Sequence, residues 1–507
     1  MKSLLYTPLE ATLAGWWGGI DHACRSAFFA AAGVSVLAFG WEMTNLTLHH
    51  DDVIHFFIQD TILGHFLGRF GHGWLHYYTQ NHYFMPFLQM LQGIVLMSAY
   101  AVLVAHFWGL RRTVDIALVA AIMCVFPYMA HVYQYNTSMA PFPAAHLLAA
   151  LAVVLATRAT VIYVAVASLM YVAAFSIYQA VVANAATIFV IWLLSRHLFA
   201  GADGGLVART TVRATIAVVA SAVAGGLLYL AAVSLMNLEP DTIHSSEEAF
   251  HLRGVLTPLQ GIAEIWQGTR SFFVWPENYF PDYLKALQIA FLAAAGIFCL
   301  WLPARPGAKI AASALLLLAS FTPRVLQLLA PKGHFHSLTL TGYAVLIAGA
   351  VMIVNRAGRT VTRNASIILS TILLAGYVMQ CNWISTVNYL NTLAHYATLT
   401  QVLARVRSIP DAQWDGRRIA VVGTYDMPSN YPFKPSTGVA NKFMDAKHMD
   451  LLARLMRDPA TFVAADDTMP KVLEFAASHP QWPHPASVGV VDGMGVVVFA
   501  KPAVAGQ

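Results

Sequence analysis

Charge is what this sequence has least of. Lysine, arginine, aspartate and glutamate make up 11% of its 507 residues, where a soluble domain carries about 25%. That deficit excludes a large soluble enzyme. Cysteine is scarce too. Cys24, Cys124, Cys299 and Cys381 stand far apart, which excludes a disulfide framework and a C-x-x-C metal pair. There is no Gly-rich phosphate loop and no Asp-x-Asp signature, so no familiar nucleotide site is present. Met1 to Ala23 lacks the apolar core and small-residue cleavage site of a signal peptide. Internal repeats and low-complexity tracts are also missing, which argues against the paired broken helices of many transporters.

What is present is apolar length. Hydrophobic residues reach 58% and mean hydropathy is +0.59. A helix needs about 20 apolar residues to cross a bilayer core of about 30 Å. On that rule the sequence predicts eleven spans, at 26–45, 84–108, 113–131, 141–157, 159–176, 178–195, 211–236, 283–303, 308–329, 337–355 and 364–383. The net charge of +5 sets orientation and does not suggest nucleic acid. With the N-terminus inside, the inner loops hold Arg111, Arg112, Arg158, Arg196, Arg209, Arg213, Arg305, Lys309, Arg356, Arg359 and Arg363. The outer side holds Arg69, Arg253, Arg270, Lys285, Arg324 and Lys332. An odd number of spans then puts the C-terminal segment outside.

Three outer elements stand out: loops 46–82, 237–282 and 322–336. The second holds Trp266, Phe272, Phe273, Trp275, Tyr279 and Phe280. Such rings at headgroup depth read as an interfacial helix and an aromatic belt. The expected organisation is a transmembrane module over 1–383, then a helix and a small outer α/β domain over 384–507. In that domain Arg417 to Thr424 reads as a buried strand, Met449 to Arg457 as a helix, and Asp492-Gly493 between β-branched runs as a hairpin turn.

The candidate chemistry begins with Asp51-Asp52, just past the outer end of the first span. Adjacent carboxylates at a membrane face are costly and need a reason. One reading is a general base; the other is a cap on a helix over 53–67. Asp52 is favoured as the base. In Gly68-Arg69-Phe70-Gly71-His72-Gly73-Trp74, the arginine offers a planar fork for phosphate, or else snorkels to headgroups. His49, His50, His55, His65, His72, His76 and His82 crowd this loop and admit a divalent metal or proton handling, without clean ligand spacing. Arg324 after Pro323, with Lys332, His334 and His336 behind it, breaks the positive-inside bias and calls for an anionic partner such as lipid phosphate. Tyr178-Gln179 marks a break between two short spans. It reads as an aromatic-belt residue beside a satisfied amide, or as a sugar contact.

The early Asp-Asp, Gly-Arg-x-x-x-x-Trp, Phe126-Pro127 with Tyr133 and Tyr135, Tyr178-Gln179-Ala180 and Thr322-Pro323-Arg324 together resemble the serotype-conversion glucosyltransferase type II family, over roughly 30–380. In that family Gly-Arg-Trp is compact, whereas here four residues separate Arg69 from Trp74. The resemblance implies an all-α polytopic membrane fold of the GT-C class. It implies a bacterial inner-membrane enzyme that moves a sugar, typically glucose, from a polyprenyl-phosphate donor to a lipopolysaccharide O-antigen or similar glycan at the periplasmic face. The reaction would be inverting. Asp51 or Asp52 would deprotonate the acceptor, and Arg69, Arg324 and Lys332 would hold the donor phosphate. Trp74, His72, Tyr178, Gln179, His334 and His336 would line the substrate. No nucleotide cofactor is implied. The alternatives are a lipid or solute transporter, and a polysaccharide polymerase or ligase of related architecture. The polymerase or ligase would prefer a large outer loop in the second half of the chain.

Overall fold

The computed structural model describes residues 9–49, 52, 68–81, 83–199, 204–236, 258–274, 280–302, 305–328, 335–410, 414, 416–426 and 443–501. The chain divides into two compact units. The larger holds 1–43, 60–133 and 137–382, and the smaller holds 44–59, 134–136 and 383–507.

The larger unit is helical. Its elements are α1 (Leu9–Gly19), α2 (His22–Thr44), α3 (Phe70–Gln80), α4 (Pro86–Phe107), α5 (Thr113–Cys124), α6 (Tyr128–Tyr133), α7 (Pro141–Ala156), α8 (Val161–Ile177), α9 (Val181–Leu198), α10 (Gly204–Leu235), α11 (Pro258–Val274), α12 (Asp282–Trp301), α13 (Pro306–Phe321), α14 (Gly342–Ala357) and the first half of α15 (Thr360–Arg407). Proline opens α4, α7 and α13, where its missing N–H costs nothing. Among the described residues, eight helices are long and apolar enough to cross a membrane: α2, α4, α9, α10 from Arg209, α12, α13 with the turn after it, α14 with the turn before it, and α15. The shorter apolar helices α5, α7 and α8 fall where the other expected spans lie. This is a polytopic, mostly helical membrane protein.

Three expectations are corrected. The span predicted over 113–131 stops at Cys124, because Pro127 denies residues around it a helical backbone, and the short α6 begins afresh at Tyr128. At twelve residues, α5 is about 18 Å long. The loop expected at 322–336 is not irregular where it is described: Thr322–Leu328 forms 3-10 turns around Pro323, and Ser337–Leu340 forms another. The aromatic belt of 237–282 is split. Trp266 is exposed, but Phe272 and Phe280 are fully buried. The helix read over 53–67 lies outside the described residues, as do Trp275 and Tyr279.

In the smaller unit a four-stranded sheet runs in the order β4 (Thr461–Ala464), β1 (Arg418–Val422), β6 (Met494–Val498), β5 (Val488–Val491). A two-stranded ribbon pairs β2 (Tyr425–Asp426) with β3 (Phe443–Met444). β1 lies parallel to both β4 and β6, while β5 and β6 form an antiparallel hairpin in which Val491 faces Met494. Its turn is Asp492-Gly493, both at positive φ, as a tight two-residue hairpin demands. α16 (Ala446–Leu455) starts on an N-cap in which Asp445 accepts from the His448 N–H at 2.9 Å. α17 (Pro470–Ser478) packs Val472 and Ala476 against Ala420, Val422, Val496 and Val498.

Candidate active site

The smaller unit holds Asp52. Its side chain is fully buried, and Oδ2 accepts from the His49 N–H at 2.9 Å and from Asn136 Nδ2 at 2.7 Å. The same Asn136 nitrogen donates to the Thr47 carbonyl at 2.7 Å. The Leu48 N–H donates to Thr392 Oγ1 of α15 at 3.1 Å, and the His49 ring lies 4.1 Å from that of Tyr135. Two donors therefore fix the carboxylate of Asp52 in one orientation. Those donors draw Asp52, the favoured base, inward. Asp51 lies outside the described residues. The helix segment that receives Leu48 also buries Asn388, Asn391 and His395.

The larger unit gathers Arg69, Tyr178 and Gln179. Arg69 Nε donates to Gln179 Oε1 at 3.3 Å, and its guanidinium lies 5.3 Å from the Tyr178 ring. Gln179 Nε2 donates to Tyr229 OH at 2.8 Å, and that hydroxyl donates to the Gly68 carbonyl at 3.1 Å. Gly68 sits at φ +66, and an added Cβ would lie 2.8 Å from Tyr229 OH, so only glycine fits the turn that presents Arg69. Tyr178 is buried and stacked on Phe142 at 4.0 Å, so the aromatic-belt reading fails for it. His72 Nε2 meets Ser138 Oγ at 3.1 Å. Trp74, by contrast, is exposed and packs edge-on against Phe70.

A polar ladder continues from Tyr178. His146 is stacked 6.5 Å from it and reaches Thr341 Oγ1 with Nε2 at 3.1 Å. Thr341 Oγ1 also accepts from Asn184 Nδ2 at 3.0 Å, while Thr187 Oγ1 meets Thr322 Oγ1 at 2.9 Å. The ladder ends beside Arg324, which is 8% exposed. Its Nε donates to Tyr343 OH at 2.9 Å. Tyr343 stacks on Phe272 at 3.7 Å and 6°. On that second ring sits another cation: Lys285 Nζ lies 3.9 Å from the Phe272 centroid and 4.8 Å from that of Phe280, and donates to the Phe272 carbonyl. Two buried cations thus flank one aromatic stack.

Reading the sequence missed Lys285, Tyr343, Asn136 and the ladder of His146, Asn184 and Thr341. Lys285 carried the same signal as Arg324, a cation on the outer side of a chain that keeps cations inside. Lys332 and His334 lie outside the described residues, and His336 is half-buried just before a 3-10 turn. The histidine-rich loop does not gather a metal set among the described residues. Among the described residues, the group tight enough to hold a metal is Asp21, Cys24 and His106, with ligand atoms within 4.8 Å of one another, on α2, its preceding residue and α4.

Ionisable groups among apolar helices, held by neutral polar groups and aromatic faces, mark the functional positions of a polytopic membrane protein. The chain belongs to the glucosyl transferase GtrII family, whose match runs over residues 40–387. The matched stretch takes in Asp52, Arg69, Tyr178, Lys285, Arg324 and Tyr343, and ends before the sheet. Membership supports a glucosyltransferase role. A search of curated proteins finds no match.

Proposed function

We propose that this protein transfers a glucosyl group from a polyprenyl-phosphate donor to a lipopolysaccharide O-antigen or related glycan at the outer face of a bacterial inner membrane. Eleven crossings would leave the α/β domain on that outer side. Asp52, with Asp51 beside it in sequence, is the general base that takes the acceptor hydroxyl proton. The acceptor oxygen then attacks the anomeric carbon, the bond to the phosphate oxygen breaks, and configuration inverts. Arg69 and Arg324 hold the leaving lipid phosphate, and Lys285 adds charge beside Arg324. His72, Tyr178 and Gln179 contact the sugar.

The observation that carries this reading is the burial of Arg324 against a phenol. An arginine buried at the end of apolar helices is costly to hold charged without an anionic partner. Its bond to the neutral Tyr343 OH orients the guanidinium without cancelling its charge. The fork remains an anion receptor, and a phosphate diester supplies the matching charge. Family membership sets glucosyl transfer above transport.

The test is a purified, nanodisc-embedded protein given radiolabelled polyprenyl-phosphate glucose and a lipid-linked glycan. Transfer of label into a new glycosidic bond is the expected outcome. Movement of the donor across the bilayer without bond formation would replace this reading by the transporter. Label released as free glucose only would remove the glycan acceptor from it.

A further inference from the structure

A second cationic site lies elsewhere in the larger unit, at the ends of α4, α9 and α14. A cavity of about 460 Å³ is lined there by Phe107, Trp108, Gly109, Arg111, Trp192, Ser195, Arg196, Phe199 and Arg356, within the usual range for a small-ligand pocket. Three of its side chains are arginines, and none of these described lining residues is acidic.

The arginines have separate anchors. Arg356 Nη1 donates to the Trp108 carbonyl and to Ser195 Oγ, both at 2.9 Å, and its guanidinium lies 4.2 Å from the Phe199 ring. Ser195 Oγ donates to the same Trp108 carbonyl at 3.0 Å. Arg356 thereby caps the end of α4. Arg111 Nη1 donates to the carbonyls of His106 and Leu110 at 2.9 and 2.8 Å. Arg196 lies 5.9 Å from Trp192, which stacks on Phe107 at 5.4 Å and 5°. The side chains are held in place by neutral carbonyls, a hydroxyl and rings. Those contacts orient the guanidinium groups without a carboxylate among them; Arg111 Nη1 also lies 3.4 Å from Nδ1 of His106, which clusters with Cys24 and Asp21. All three residues are exposed at the cavity. Like charges on one cavity repel, and an anion between them relieves that repulsion.

We infer that this cavity binds a phosphate group, gripped by the guanidinium forks of Arg111, Arg196 and Arg356 with its organic portion against Phe107, Trp192 and Phe199. Arginine matches phosphate geometry through paired N–H donors, and the aromatic wall suits an ester better than a bare ion. On the proposed orientation, this end of the helices faces the inner leaflet. The phosphate then comes from an anionic phospholipid headgroup or from a soluble phosphate of the cell interior.

The experiment uses the full chain in phosphatidylcholine nanodiscs. It is titrated separately with a short-chain phosphatidylglycerol and with inorganic phosphate, reading the affinity and the thermal midpoint. The double variant Arg111→Gln/Arg196→Gln should weaken binding about 25-fold, roughly fivefold for each charge. Arg356→Gln should weaken it as well. Arg112→Gln, an exposed arginine that does not line the cavity, should leave it unchanged. Binding of phosphatidylglycerol alone identifies a lipid headgroup. Binding of inorganic phosphate with equal or greater affinity identifies a soluble phosphate. Binding of neither probe overturns the inference, as does an equal loss in Arg112→Gln or unchanged affinity in the double variant. These titrations do not read glucosyl transfer, so the site stands or falls apart from the proposed reaction.

Discussion

Gly268→Ala moves Arg324 without removing any charge. Gly268 lies on α11, and an added Cβ would come within 2.4 Å of Arg324 Nη1, 2.6 Å of Cζ and 2.8 Å of Nε. Those distances are far inside van der Waals contact, so the guanidinium must leave its place. It then loses the 2.9 Å bond to Tyr343 OH and the orientation that the bond fixes. A hydrogen bond to a charged group is worth about 1.5–3 kcal/mol. If that alignment serves the donor phosphate in the transition state, transfer falls roughly 10- to 150-fold. Overpacking itself costs about 1–3 kcal/mol of stability, so a matched control is needed. Gly261→Ala supplies one on the same helix, since its Cβ would meet the backbone of Gln327 at 2.8 Å and Leu328 at 3.0 Å. Both variants should lose stability, and only Gly268→Ala should lose turnover out of proportion. The assay is steady-state transfer from polyprenyl-phosphate glucose at several donor concentrations, with folded protein quantified by size-exclusion chromatography. Arg324→Lys should resemble Gly268→Ala, because a lysine cannot restore the fork. Equal turnover in Gly268→Ala and Gly261→Ala, per folded molecule, would refute the role given to Arg324.

Three further outcomes follow from other parts of the structure. Asp52→Asn keeps the shape but cannot accept a proton, so transfer should fall roughly 10²-fold or more with folded yield retained; near-normal transfer would remove Asp52 as base and leave Asp51. Tyr343→Phe deletes the hydroxyl that orients Arg324 while keeping the stack on Phe272, so donor KM or kcat should change by about tenfold with little change in thermal midpoint; unchanged kinetics would show that the phenol only packs. In the α/β domain, the Arg407 guanidinium hydrogen-bonds both oxygens of Asp458 at 2.9 and 2.6 Å and, with the Ala460 N–H, holds that carboxyl below its ordinary 3.8. A carboxyl held low in the fold stabilises above its unfolded value and loses that contribution as pH falls through the folded value. Thermal unfolding of the full chain should therefore show an acid-sensitive component below about pH 4, and Asp458→Asn should flatten it.

How much of this was legible beforehand depends on the range of the interaction. Apolar runs, proline-opened helices and the Asp492-Gly493 turn are local, and the sequence marks them directly. Arg69, Tyr178 and Gln179 were each picked from local oddities, a glycine-rich turn and a break between spans. That the first contacts the other two required the fold. The Asp52 anchor could not be read from the chain, because Asn136 lies 84 positions away in a segment with no chemical signal beyond being polar. Pro127 is visible in the sequence, but the unbroken apolar composition around it hides where α5 ends.

The divided aromatic cluster shows why composition alone misassigns depth. α11 is apolar on two sides. Ile265, Thr269 and Phe272 are buried at helical spacing, while Leu259, Ile262 and Trp266 are exposed at the same spacing. Both sets satisfy the pattern of a helix lying at a membrane surface, and nothing local says which one meets protein. Tyr343 decides it. It offers a flat partner to Phe272, and Gly268 on the same helix leaves the space that Arg324 fills. The position without a side chain thus admits the charge, and the ring four residues later supplies its aromatic support. An aromatic-rich outer loop that sequence reading assigns to headgroups becomes, on one face, the wall beside the buried cation on which the proposed chemistry depends.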